Sequence, residues 1–507
     1  MDALPRRRSV TLPLVSADTV VCAGVGLALA GVAFGASGGT QLARTTYTEI
    51  LVMLGGALLA GIALVVPRPG ARVWGAWTLA GLVALAALTA LSITWSMAPS
   101  DSWVEAGRML SYVAAFAGAL GLVRLAPRRW AGMVGGVALA CVIVVVWALL
   151  TKVFPATLSA DETFARLRAP FGYWNAVGLV AALGVPPLLW LAVKRSGNQA
   201  LNALAYPGLG LSFVVLLLSY SRGALLALAV GLAFWFAVVP LRLRGATALV
   251  VSAFAAAPVV AWVFAREGLT NDDVPLIART EAGHELGVLL VLMAALLLAA
   301  GLAIGFTAAN RAPTLRARRR AGAGLVAIVA LVPVLGLVVL ATKPGGIDGQ
   351  VSKGFDQLTD PDASTPSNQP GRLTATASVR SRYWREAIDI WQTEKLRGAG
   401  AGSFPVARTR FRTGALEVRQ AHGYVVETLA GLGLAGLALS LALLAVWLAS
   451  AARTVGLRRA DRGLPVDAER VGLLTLTAVV VIFGVHSLID WTWLVPGTAI
   501  IGLACAA

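Results

Sequence analysis

The chain has 507 residues, 58% hydrophobic and only 13% charged, with a mean hydropathy of +0.78 and a formal net charge of +17. So few charges over this length exclude a soluble globular protein and place the chain in the membrane class. The basic excess is mostly arginine, 37 Arg against 5 Lys. It sits in short clusters between apolar runs, which marks membrane topology and not nucleic-acid binding.

A membrane-crossing helix needs about 20 mostly apolar residues. Runs of that kind fall at 17–37, 49–66, 73–95, 107–126, 130–150, 173–193, 201–219, 223–240, 245–265, 285–308, 321–342, 424–450, 471–489 and 493–507. The expected fold is therefore an all-α polytopic membrane protein of about 12–14 transmembrane helices. The weakest of these runs are the pair meeting at Ser221-Arg222 and the short last one. Arg6, Arg7 and Arg8 precede the first run as a signal peptide's charges would, but the many later spans favour an uncleaved first helix. Cys22, Cys141 and Cys505 lie inside apolar runs without CxxC spacing, which argues against a disulfide framework or a zinc site.

With the N-terminus in the cytoplasm and the spans alternating, most basic residues of the short loops fall on the inner side. These include Arg68, Arg72, Arg124, Arg128, Arg129, Lys194, Arg195, Arg242, Arg244 and the 311–320 and 453–470 clusters, as the positive-inside rule requires. This divides the chain into an N-terminal helix bundle (1–342), an extracytoplasmic loop (343–423) and C-terminal spans (424–507). Within the loop, 343–377 is rich in Gly, Pro, Ser, Thr and Asp and reads as a flexible linker. From Val379 the pattern changes. Trp384, Ala387, Ile388 and Trp391 recur at i, i+3, i+4 and i+7, the docking face of an amphipathic helix, with Arg380, Arg385, Glu386, Asp389 and Glu394 largely on its other faces.

Four outward places carry polar residues out of keeping with a lipid-facing chain. They are Arg166 to Asn175, Ser219 to Gly223, Arg380 to His422, and His486 to Trp491. An arginine at the membrane boundary either snorkels to headgroups or meets an anion. Guanidinium forks match phosphate oxygens and stay charged, so Arg168 and Arg222 suit a phosphate-bearing lipid. Asn175 either caps its helix or orients a sugar or phosphate. His422, near-neutral in its ordinary pKa, closes an arginine-rich segment and precedes Glu427. Its neutral imidazole suits a general base that takes the proton of an attacking hydroxyl. No carboxylate-rich cluster stands beside it, so no metal is implied. Gly398, Gly400 and Gly402 lack the GK[ST] of a nucleotide-binding loop and read as a turn that permits close backbone approach.

Together these stretches resemble the O-antigen ligase family, the superfamily of O-antigen ligases, polymerases and related bacterial polysaccharide enzymes. The resemblance rests on LSITWSMAPSDS (91–102), RAPFGYWN (168–175), SYSRG (219–223), Arg380 four residues before Trp384, GAGAGSF (398–404), His422-Gly423 with Gly433 and Gly436 beyond it, and HSLIDW (486–491). It runs from about residue 90 to 496, in the family's order. It implies a metal- and cofactor-independent glycosyltransferase in the cytoplasmic membrane. Such an enzyme moves a glycan from an undecaprenyl diphosphate carrier to a glycan or lipid-linked acceptor. The resemblance assigns catalysis to His422 and Arg222, and substrate binding to Arg168, Asn175 and Arg380, with Arg382, Glu427 and Asp490 completing the set. One position departs from the pattern: Gly423 stands where the family usually has Asn, Ser or Gln. Ligase and polymerase differ only in acceptor, and both stay open here. A lipid-linked glycan flippase or transporter is the alternative from another class, though it predicts mid-membrane ionisable residues and paired halves. A binding component without catalysis is a third.

Overall fold

The computed structural model describes residues 16–66, 75–310, scattered positions between 311 and 343, and 344–507 apart from 361–365, 413, 415, 416, 462 and 464. Among the described residues the chain is helical and has no strand. Eleven helices among the described residues are long and apolar enough to cross a membrane, which makes this an all-α multi-pass membrane protein. The expected span at 321–342 lies mostly outside the described residues, as do Arg6–Arg8 at the N-terminus.

The helices are α1 (Ala17–Ala36), α2 (Leu42–Val65), α3 (Ala76–Leu91), α4 (Pro99–Leu125), α5 (Trp130–Val153), α6 (Trp174–Val193), α7 (Gln199–Leu218), α8 (Arg222–Val238), α9 (Arg242–Phe264) and α10 (Leu276–Asn310). After the incompletely described stretch come α11 (Gly346–Thr359), α12 (Arg380–Thr393), α13 (Tyr424–Thr454), α14 (Ala468–Ile489) and α15 (Pro496–Ala506). The two apolar helices that fall short of span length are α8 and α15. Both are among the three runs the sequence marks as weakest; the third, 201–219, forms α7 and is of span length.

The bundle is organised around α6, which is buried along nearly its whole length and packs on α5, α7, α8, α9 and α14. Ala176, Gly178, Ala181, Ala182 and Gly184 keep its surface small, so neighbouring backbones approach closely. That is how helices associate where lipid removes the hydrophobic drive between them. Its first turn carries Asn175, so the most deeply buried of the spans also presents a polar group at one end of the bundle.

The helix α12 packs on α13 and buries Tyr383, Glu386, Ala387 and Ile390. This is the expected i, i+3, i+4, i+7 periodicity, displaced by one residue from the Trp384–Ala387–Ile388–Trp391 face. Glu386 is buried because Arg408 meets it with two bonds of 2.7 and 3.1 Å. Pairing turns a residue of the supposed polar face inward. Trp384, 36% exposed, lies at the margin, and its indole donates to the His422 carbonyl at 3.2 Å.

The glycine run 398–402 inserts into a break in α13. Gly433 there has φ 63 and ψ −158, a conformation reserved for glycine. The break frees backbone groups on both sides. Ala399 and Gly400 N–H donate to Ala430 and Gly431 carbonyls, both at 2.8 Å, while Leu434 and Ala435 N–H donate to Lys395 and Leu396 at 2.9 and 3.0 Å. On the other side of the run, Ala401 N–H donates to Ser92 Oγ at 3.1 Å and Ser102 Oγ donates to the Ala401 carbonyl at 2.5 Å. Two separate stretches of the sequence pattern, 91–102 and 398–404, thus meet in space.

Candidate functional site

The site is built on Asp490. Ile489 ends α14, and Asp490 follows in extended backbone, fully buried. Its Oδ1 accepts from the Tyr173 hydroxyl at 2.6 Å and from Trp491 N–H at 2.8 Å. Its Oδ2 accepts from Asn175 Nδ2 at 2.7 Å and from Arg380 at 2.6 Å. His422 Nδ1 stands 4.0 Å from the same Oδ2, has no hydrogen-bond partner of its own, and lies in ion-pair range. One carboxylate therefore gathers the start of α6, the start of α12, the end of α14 and His422, two residues ahead of α13. Burial works to raise the Asp490 pKa, but Arg380, then His422 and His486, hold it well below the usual carboxylate range, so the group stays ionised.

Three contacts fix the His422 ring. Tyr383 stacks on it with centroids 5.8 Å apart, Trp491 meets it edge-on at 6.5 Å, and its backbone adopts φ 56 with its carbonyl held by Trp384. Trp491 in turn stacks on Tyr173 at 4.3 Å. Glu427, one turn into α13, folds back to accept Ala421 N–H at 2.5 Å. Its carboxylate thus secures the backbone just ahead of His422.

Arg222 is the first residue of α8. Tyr220, at φ 48, breaks the apolar run, and Ser221 Oγ accepts Ala224 N–H at 3.3 Å as the helix cap. The guanidinium of Arg222 donates to the carbonyls of Ala375 and, at 3.1 Å, Ala377. Beneath it His486 is fully buried, with Nδ1 2.8 Å from Thr492 Oγ1. A Cβ on Gly223 would lie 3.4 Å from His486 Nε2.

Two arginines that sequence reasoning did not select join this cluster. Arg166, 2% exposed, donates twice to the Ser219 carbonyl at 2.9 and 2.8 Å, lies over the Trp174 ring at 4.2 Å, and leaves Nη1 without a partner. Burial, then Arg372, pushes it down to about 9. Burial, then Arg222 and Arg380, push Arg372 down to about 10. Both still carry a proton at neutral pH; burial is the larger cause of each depression, and neighbouring cations add to it. Arg166 was legible only as a second arginine beside Arg168. Arg372 had no signal, because it sits in a segment whose composition reads as linker.

The other expected residues divide. Asn175, Arg380 and His422 converge on Asp490. Arg168 pairs with Glu162 at 2.5 Å and lies over Phe164 at 4.8 Å, so its charge is spent locally. Arg382 is on α12 beside Gly414 and Tyr383. Among the described residues, no three of His, Cys, Asp and Glu gather at the spacing of a metal site. The chain matches no model of a known protein family and no curated protein at significant similarity.

Of the guanidinium groups, Arg380 binds the Asp490 carboxylate, which is already saturated with hydrogen bonds, and lies within electrostatic range of Arg222 and Arg372, while Arg166 lies within range of Arg372 and Asp490. The surplus positive charge suits a multiply charged anion. Beside it stands an imidazole whose Nδ1 faces an ionised carboxylate at 4.0 Å, about 1 Å beyond the hydrogen bond that would fix its tautomer and leave Nε2 to accept a proton.

Proposed function

We propose that the protein is an O-antigen ligase-like glycosyltransferase of the cytoplasmic membrane, with residues 343–423 on the extracytoplasmic side. It transfers a glycan from an undecaprenyl diphosphate carrier to an acceptor hydroxyl. The observation that carries this reading is the sharing of Asp490 by His422 and Arg380 next to an arginine cluster with unmatched charge. The sequence resemblance supports it independently, and the basic residues of the short loops support the orientation.

In the proposed reaction the Asp490 carboxylate holds the proton of His422 on Nδ1. His422 Nε2 takes the proton of the acceptor hydroxyl as that oxygen attacks the anomeric carbon. The anomeric C–O bond to the carrier breaks, and its electron pair leaves on the diphosphate. Arg222, Arg380 and Arg166 stabilise the growing charge of the leaving group, so it needs no protonation to depart. The imidazolium then loses its proton to solvent. Deleting the protein from its host tests this reading at cell level: carrier-linked glycan should accumulate. An unchanged carrier-linked pool would count against the assignment.

A further inference from the structure

Arg222 is not empty-handed. Two backbone carbonyls from a distant part of the chain, Ala375 and Ala377, occupy its guanidinium fork. They present two acceptor oxygens to two N–H groups, as two oxygens of a phosphate would. A neutral carbonyl is the weaker partner, since a phosphate adds charge–charge attraction and bidentate geometry to the guanidinium's hydrogen bonds.

The segment that supplies these carbonyls is held mainly near its ends. Upstream, Asn368 Nδ2 donates to Asp272 Oδ2 at 2.9 Å and Gln369 Nε2 to Asn271 Oδ1 at 3.2 Å. Downstream it runs into α12, fixed by Arg380 on Asp490. Between them lie one turn of 3-10 helix, Pro370–Leu373, and a side-chain bond from Thr376 to Gln357. None of residues 370–378 is buried, so lifting this stretch sacrifices little packing. Arg372 rides on it, its guanidinium donating to the Pro366 carbonyl of the same stretch and lying within electrostatic range of Arg222 and Arg380.

We propose that residues 366–378 form a strap over the anion site: its Ala375 and Ala377 carbonyls hold Arg222 until a diphosphate displaces them, and Arg372 then binds that diphosphate. This rests on the diphosphate-transfer reading above and extends it. Until displaced, the strap competes for Arg222 and lowers the apparent affinity by the fraction of time it is closed. Once displaced, it adds a positive charge from a residue outside the transmembrane bundle.

Binding of farnesyl diphosphate and of inorganic diphosphate to the purified full-length protein in detergent tests this. Gel-filtration profile and thermal midpoint serve as folding controls. Arg372→Gln should weaken binding of both probes about tenfold, and Arg372→Lys should recover part of the loss. Changing Thr374, Ala375, Thr376 and Ala377 together to glycine should loosen the strap and tighten binding several-fold. In an Arg222→Gln background the same glycine changes should have no effect, because the carbonyls no longer compete for anything. Binding that depends on Arg222 but is indifferent to Arg372 and to the glycine changes overturns the strap and leaves the proposed function standing. Failure of the unaltered protein to bind either probe overturns both. Tighter binding of farnesyl diphosphate than of inorganic diphosphate supports a lipid-borne anion as the occupant.

Discussion

Arg380 and Asp490 lie 110 positions apart in the chain and meet at 2.6 Å. The contact fastens the first turn of α12 to the end of α14, and through Asp490 it reaches Tyr173 and Asn175 at the head of α6. His422 is set against this same carboxylate. At this end the polar segment is registered to the bundle by this ion pair, and the same carboxylate stands 4.0 Å from the imidazole.

Replacing Asp490 should show this in two ways. Its folded pKa lies below the unfolded value of about 3.9. The carboxylate therefore contributes stability fully above that unfolded value, and the contribution is lost as pH falls through the folded one. Asp490→Asn keeps the shape and removes the charge. Its thermal midpoint should fall at neutral pH and depend less on pH in the acid range than that of the unaltered protein. Parallel pH profiles for the two proteins would argue against Asp490 as the hub.

The break in α13 makes a separate prediction. A Cβ on Gly433 would lie 2.4 Å from the Leu396 carbonyl oxygen in a backbone conformation that side chains avoid. Gly433→Ala should destabilise the protein by about 1–3 kcal/mol or more. It should also expel the 395–401 stretch, seen as faster protease cleavage at Lys395 and Arg397. A neutral outcome would mean that the glycine run is not locked into the helix.

Gly423 behaves differently. Its φ of −177 is open to any residue, but a Cβ there would sit 3.2 Å from the Leu488 carbonyl oxygen, Trp384 Nε1 and Val426 Cγ2. The tight site, and not the backbone, favours glycine. Gly423→Ala should cost about 1 kcal/mol. Gly423→Asn, with the amide common in the resembling family, should displace Trp384 from the His422 carbonyl. The change in tryptophan emission and the thermal midpoint of each variant check this. Full stability with unchanged emission in Gly423→Asn would contradict it.

Much of this architecture is legible in the chain. Apolar run lengths give the spans, and the interruption at Ser221-Arg222 gives a short helix that begins with an arginine. His422, Arg222, Arg380 and Asn175 stand out because polar groups at span ends need a reason. What is not legible depends on partners. Nothing local shows that Glu162 takes up Arg168 while Arg166 stays in the cluster. Glu386 reads as a surface residue until Arg408 is placed beside it. Asp490 is one carboxylate among many in the sequence, and its centrality comes from four segments brought together. Arg372 is hidden by its neighbours, since Gly, Pro, Ser and Thr give a segment the look of a linker whether or not it crosses a site.

The most direct measurement is turnover of a polyprenyl diphosphate-linked glycan by the purified protein in liposomes, with donor binding followed in parallel. In His422→Ala, the account predicts a fall in turnover of at least about 100-fold, the size of a lost general base, with donor affinity held within about twofold. Transfer at the unaltered rate by His422→Ala would contradict the central claim.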